Sequence, residues 1–144
     1  FIHYYKESLA LARQVNNHHY LLYNQLELAM AYLKSGVLGQ ARHFLLQAVP
    51  LIQETEMVAP FFELLFIAAA YYERRADYEK GAELYFLLVA EERPFFTYAD
   101  ELESLKQSLQ TNLSPAWWAE MSNRTREQDR DAVISQLLTT LTKE

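Results

Sequence analysis

The chain has 144 residues, 51% of them apolar and 14% aromatic, which is enough for one packed core and too much for a disordered segment. A net charge of -6 argues against a chain that neutralises nucleic-acid phosphates or an anionic membrane surface, and the lack of cysteine excludes disulfides, thiol catalysis and thiolate metal sites. No apolar run reaches the length of a membrane span and no signal peptide is visible.

Helical periodicity is already running at Tyr4, although the first residue is Phe1 rather than Met, so the chain reads as a piece of a longer polypeptide. Residues 2–15 keep Leu9, Ala10, Ala12 and Val15 on one apolar face, with Tyr5 extending it. Asn16 and Asn17 make a turn. A second helix runs from about His18 to Ser35, and Gly36 suits the left-handed position that follows a helix. A third spans about Leu38 to Glu54. Pro50 lies inside it, removing a hydrogen bond and crowding the preceding turn, which predicts a kink or early break near Leu46 to Pro50.

The fourth helix starts near Val58, with Pro60 tolerated in its first turn, and continues to about Arg75. Asp77 is placed to cap a fifth helix from Tyr78 to about Glu92, which Pro94 stops. Thr97 with Asp100 has the spacing of a capping box for a sixth helix, to about Thr111. Ser114-Pro115 is an N-cap followed by a first-turn proline, opening a short seventh. The mixed-charge stretch Arg124 to Asp131 reads as a solvated connection into an eighth helix over residues 128–142, with Val133, Ile134, Leu137, Leu138 and Leu141 on one face.

The chain also repeats at about 40 residues. Tyr32 and Tyr72 stand in register, as do Gly36 and Ala76, Ala41 and Gly81, Leu45 and Tyr85, and Ala48 and Leu88. Tyr4, Tyr5 and Leu11 precede Phe44, Leu45 and Leu51 by the same step. Repeats of this length point to stacked helical hairpins, each burying its apolar face on its neighbours.

Leu28-Ala29-x-x-Tyr32, then Gly36, Ala41, Leu45 and Ala48, resembles a tetratricopeptide repeat. The second copy reads Ala68-Ala69-x-x-Tyr72, Ala76-Asp77-Tyr78-Glu79-Lys80-Gly81, Tyr85, and departs from the pattern at Leu88, where a small residue is usual. The period exceeds the common repeat of about 34 residues. That longer period, together with Trp118-Ala119-Glu120 and the acidic-plus-aliphatic helix that follows, resembles the C-terminal region of large bacterial ATP-dependent transcriptional regulators of the LuxR and antibiotic-regulatory-protein types.

The resemblance implies an all-α, tetratricopeptide-like antiparallel helical-hairpin solenoid, a right-handed superhelix. A half repeat would cover 1–17, full repeats 18–57 and 58–97, and a partial repeat 98–112, with a C-terminal helical cap over 113–144. It implies a cytoplasmic, non-catalytic interaction or ligand-sensing module. Its partner would be a protein or peptide segment or a small inducer, with no cofactor. None of that group's phosphate-loop or DNA-recognition motifs occurs in these residues. A structural spacer or a stand-alone adaptor is the other reading.

Transferring the repeat's inward positions gives a partner-binding face of Tyr23, Leu26, Glu27, Met30, Leu33 and Lys34 on one helix. The next helix contributes Glu63, Phe66, Ile67, Ala70, Glu73 and Arg74. This face is apolar enough for an amphipathic partner helix. The competing reading packs the same residues on each other or beneath the C-terminal segment. Trp117 and Trp118 read either as a hydrophobic plug at the end of the stack or as an exposed anchor for a partner.

His3 and His43 lie one repeat apart and His18 and His19 are adjacent, but no pair has metal-ligand spacing on a helix. The carboxylate pairs Glu54 with Glu56 and Glu91 with Glu92 fall at expected helix ends, where solvation accounts for them better than acid–base chemistry. An apolar face left uncovered on residues 2–15 would favour a homodimer through that end.

Overall fold

The structure, a computed structural model, describes residues 2–14, 18–55, 57–90, 98–124 and 130–144. They form α1 (Ile2–Gln14), α2 (His18–Lys34), α3 (Leu38–Glu54), α4 (Val58–Arg74), α5 (Tyr78–Val89), α6 (Ala99–Asn112), α7 (Pro115–Arg124) and α8 (Arg130–Thr142). No strand occurs among the described residues, so the fold is all-α, as the periodicity predicts. No helix among them is long and apolar enough to cross a membrane.

The most extensive packing is between sequence neighbours, α1 on α2, α2 on α3 and α4 on α5. The turns 35–37 and 75–77 are too short for anything but a reversal, so α2–α3 and α4–α5 are antiparallel hairpins. Both reversals use the same hydrogen bonds. Gly36 N donates to Leu33 O at 3.1 Å and Val37 N to Tyr32 O at 2.9 Å. Ala76 N donates to Glu73 O at 3.0 Å and Asp77 N to Tyr72 O at 2.9 Å. This is the Schellman arrangement, which satisfies the last helix carbonyls and requires a left-handed residue, here Gly36 at φ +77° and Ala76 at φ +62°.

The small residues that follow serve close approach. Ala41 is fully buried at the α2–α3 crossing. At Gly81, a Cβ would stand 3.1 Å from Ala69 O and 3.2 Å from Leu109 Cδ2, so the α5 backbone lies almost on α4. The hairpins then pack side by side through α2–α4 and α3–α4, and α6 packs against both α4 and α5. One continuous core results, including Leu26, Leu28, Leu45, Ile52, Leu64 and Ile67.

Several local expectations are corrected. Pro50 does not break α3, which is helical without interruption from Leu38 to Glu54. The proline ring is on the exposed side, where the missing N–H costs least because water can serve the freed carbonyl. Asp77 stands at the N-cap of α5, but its side chain makes no capping bond. It pairs instead with Lys80, Oδ2 to Nζ at 3.4 Å. On α1, Leu9 is buried, whereas Ala10 is exposed. Helix α6 begins at Ala99 with Tyr98 at its N-cap, and α5 ends at Val89. Val15, Asn16, Asn17, Glu56, Glu91, Glu92, Pro94, Thr97 and residues 125–129, to which other expectations attach, lie outside the described residues.

The tail behaves differently from its neighbours. Ser114 Oγ accepts from Trp117 N at 3.1 Å, the expected cap of α7. Trp118 packs on α5, with ring centroids 4.7 Å from Phe86 and 5.8 Å from Tyr85, and both tryptophans remain half-buried. Helix α8 turns back and docks on α3, and its Val133, Ile134, Leu137 and Leu141 are buried. Arg42 of α3 donates to Leu141 O at 2.9 Å, holding the last turn of α8. Glu144 then accepts from Tyr71 Oη at 2.9 Å and Arg75 Nη1 at 2.7 Å, tying the chain's final residue to the end of α4.

Candidate functional site on the α2, α4 and α6 face

Helices α2 and α4 share one face, and the 40-residue register places equivalent side chains next to each other. Their C-terminal ends meet directly, because Arg74 Nη1 donates to Leu33 O, a last-turn carbonyl of α2, at 3.3 Å. Between them and α6 lies a groove of about 300 Å³. Met30, Leu33 and Lys34 line it from α2, and Phe66, Ala70, Glu73 and Arg74 from α4. Glu101, Ser104, Leu105 and Ser108 close it from α6.

Seven of the expected partner-binding residues therefore meet in one groove: Met30, Leu33, Lys34, Phe66, Ala70, Glu73 and Arg74. Its floor is apolar and its rim carries both signs. Ser108 Oγ donates to Glu73 Oε1 at 2.6 Å, and Lys34 Nζ stands 4.0 Å from Glu101 Oε1. The exposed Lys34–Glu101 contact is weak and exchangeable. Leu26 and Ile67 do not belong to the groove. Both are essentially inaccessible, because packing of α2 on α4 turns those positions into core.

Tyr23, Glu27 and Glu63 gather farther along the same face, and the structure adds Tyr5 and Tyr98 to them. Tyr98 stacks on Phe66 with centroids 5.0 Å apart and planes 11° from parallel, and its hydroxyl donates to Glu27 Oε1 at 3.4 Å. Burial, and secondarily the Glu27 carboxylate, raise the carboxyl pKa of Glu63. Burial and then the Glu27 charge push the Tyr5 hydroxyl up to about 12 and raise those of Tyr23 and Tyr98 as well. These tyrosines stay protonated, and Tyr98 and Tyr5 hydrogen-bond the Glu27 carboxylate. The face thus has an acidic, tyrosine-rich end and an end of mixed charge near Lys34 and Arg74.

The α6 residues and Tyr98 were missed by transferring repeat positions from α2 and α4. The available signal was the i, i+3, i+4, i+7 spacing of Glu101, Ser104, Leu105 and Ser108, which sets one face of α6 against α4. Tyr5 came into the site because α1 packs on α2.

The histidines lie elsewhere. His3 pairs with Glu7 and His18 with Glu54, each at 3.1 Å, while His19 Nδ1 contacts Met57 Sδ at 2.9 Å. No group of three metal-ligating side chains occurs among the described residues. Comparison of the chain with protein-family models, with curated proteins and with solved structures found no match.

Proposed function

We propose that this chain is a tetratricopeptide-like solenoid segment that binds an amphipathic helix or extended peptide on its α2, α4 and α6 face. The observation that carries the reading is the repeated hairpin: two identical Schellman reversals, 40 residues apart, which bring Met30, Phe66 and Ala70 into one groove. The polarity of that face suggests the partner's orientation. Basic residues would face Glu27 and Glu63, and apolar ones would enter the groove. The action is binding without catalysis, and the parent protein is a larger bacterial regulator or signalling ATPase. Trp117 and Trp118 serve as the structural cap. Exposed Tyr4 and Leu11 on α1 fit self-association through that end.

Selection of helical peptides on the immobilised chain tests the reading, with the Met30 methyl resonance as reporter. The expected result is peptides that shift Met30 and lose affinity on Ala70→Glu or on Lys34→Glu with Arg74→Glu. Selected peptides that leave Met30 unmoved would favour the spacer reading, in which the face is packing alone. The reading frame around the chain tests the regulatory role. A phosphate loop upstream together with a helix-turn-helix supports it, and the lack of both leaves a stand-alone adaptor.

A further inference from the structure

Helix α8 is held by one end, and the residues that hold it come from α3 and α4. We propose that α8 is a latched strap, which folds as it docks and is kept in place by a clamp of Arg42, Tyr71 and Arg75 around Glu144. Released from the clamp, it vacates a docking surface for an amphipathic helix with a carboxylate just past its end. Those are the two features by which α8 itself is held.

The composition of α8 makes it a poor helix when undocked. It has 13 residues, and isolated helices below about 12–15 residues are marginal in water. Thr139, Thr140 and Thr142 crowd its C-terminal end, and β-branched residues disfavour the helix. Their hydroxyls bond back to Ser135 O, Gln136 O and Leu138 O, at 3.0, 2.8 and 2.7 Å. Such back-bonding weakens a helix slightly. The last turn carries no basic residue, and Glu144 beyond it adds negative charge at the end that favours a cation.

Neighbouring helices give α8 limited support. Its substantial packing is on α3, through one apolar face. Towards α5 and α7 it stands off, and a cleft of about 420 Å³ opens there over Tyr72, walled by Leu84, Leu87 and Met121.

The clamp supplies what α8 lacks. Arg42 Nε donates to Leu141 O at 2.9 Å and Nη2 to Thr142 O at 3.4 Å, so a cation from α3 serves two carbonyls at the end of α8. Its Nε also stands 3.9 Å from Glu144 Oε2. Arg75 Nη1 and Tyr71 Oη donate to that same oxygen at 2.7 and 2.9 Å. The Glu144 side chain is only 12% exposed, so water screens these contacts less than a surface pair. Charge-assisted bonds of this kind are among the stronger contacts in a protein. Here they converge on one carboxylate, which gives a single residue control of the strap.

Hydrogen exchange on the full chain tests the proposal. In the unaltered protein the α8 amides should exchange by local opening while α2 to α5 stay protected. Glu144→Lys should speed α8 exchange by about tenfold or more and leave α2 to α5 unchanged. A labelled peptide of residues 130–144 should bind the Glu144→Lys chain, whose site is vacant, and bind the unaltered chain far more weakly. The same peptide carrying Glu144→Lys should bind neither.

Exchange of α8 in step with α2 to α5 in the unaltered protein would make it part of the core and overturn the proposal. So would α8 protection that survives Glu144→Lys, equal binding of the peptide to both chains, no binding to the Glu144→Lys chain, or equal binding of the two peptides. If Glu144→Lys does not fold, the exchange pattern of the unaltered protein still decides. None of these outcomes depends on whether a peptide binds at Met30.

Discussion

Gly36 and Ala76, 40 residues apart, hold the same left-handed backbone position at the ends of α2 and α4, with φ of +77° and +62°. Glycine adopts that conformation freely, whereas a Cβ makes it unfavourable by about 1–2 kcal/mol. Nothing lies within 4 Å of a Cβ built at Gly36, so backbone strain is the cost a side chain would meet there. Ala76→Gly should therefore be neutral or stabilise by up to about 1 kcal/mol, the gain being offset by glycine's greater freedom in the unfolded chain. Gly36→Ala should destabilise by about 1 kcal/mol. Urea titration of the two variants checks the opposite signs.

Gly81 is required for a different reason, since its helical backbone is ordinary. The Cβ of Gly81→Ala would meet Ala69 O at 3.1 Å, and a helix carbonyl cannot move without carrying α4 along. A loss of about 1–3 kcal/mol is expected in denaturant unfolding. Stability equal to that of the unaltered chain would mean that α4 and α5 can separate freely.

Glu63 gives the candidate site a pH signature. Its pKa is raised above the usual 4.5, by burial and then by Glu27. Below that value the carboxyl is protonated in both folded and unfolded chains, and no penalty arises. As pH rises through the window above 4.5, the unfolded chain releases its proton first, so the folded state loses stability until its own pKa is passed. Glu63→Gln should be the more stable protein at neutral pH, with the difference vanishing in acid. Thermal melts across pH 4 to 7 would show it, and a constant difference would exclude the linkage.

Trp118 measures how firmly α7 closes the stack. Complete burial would make Trp118→Ala cost roughly 3–5 kcal/mol. The ring is half-buried against Phe86 and Tyr85, so about 1–3 kcal/mol is expected. A loss below about 1 kcal/mol would leave Trp118 free to act as a partner anchor.

Helix positions were legible because each segment carries its own periodicity and punctuation. Gly36 and Ser114-Pro115 mark boundaries by local backbone chemistry, which neighbouring segments do not alter. Asp77 was less legible, since the choice between capping a helix and pairing with Lys80 is a contest between two local partners of similar strength. Leu26 and Ile67 were placed on a binding face because they share a helix side with Met30 and Phe66. How deeply neighbouring helices sink together decides which of those positions stay open, and that depth depends on side chains remote in sequence.

The sequence by itself determined the helices, their reversals and the 40-residue equivalence of two hairpins, since short-range sterics and hydrogen bonding govern all three. Tertiary structure alone decided that Tyr5 and Tyr98 converge on Glu27, that α8 returns to α3, and that a cleft opens over Tyr72. The return of α8 joins Arg42 to Leu141, 99 residues away. Apolar periodicity states that such a helix needs a partner, and only complementary shape and spare hydrogen-bonding groups on the assembled surface select which one.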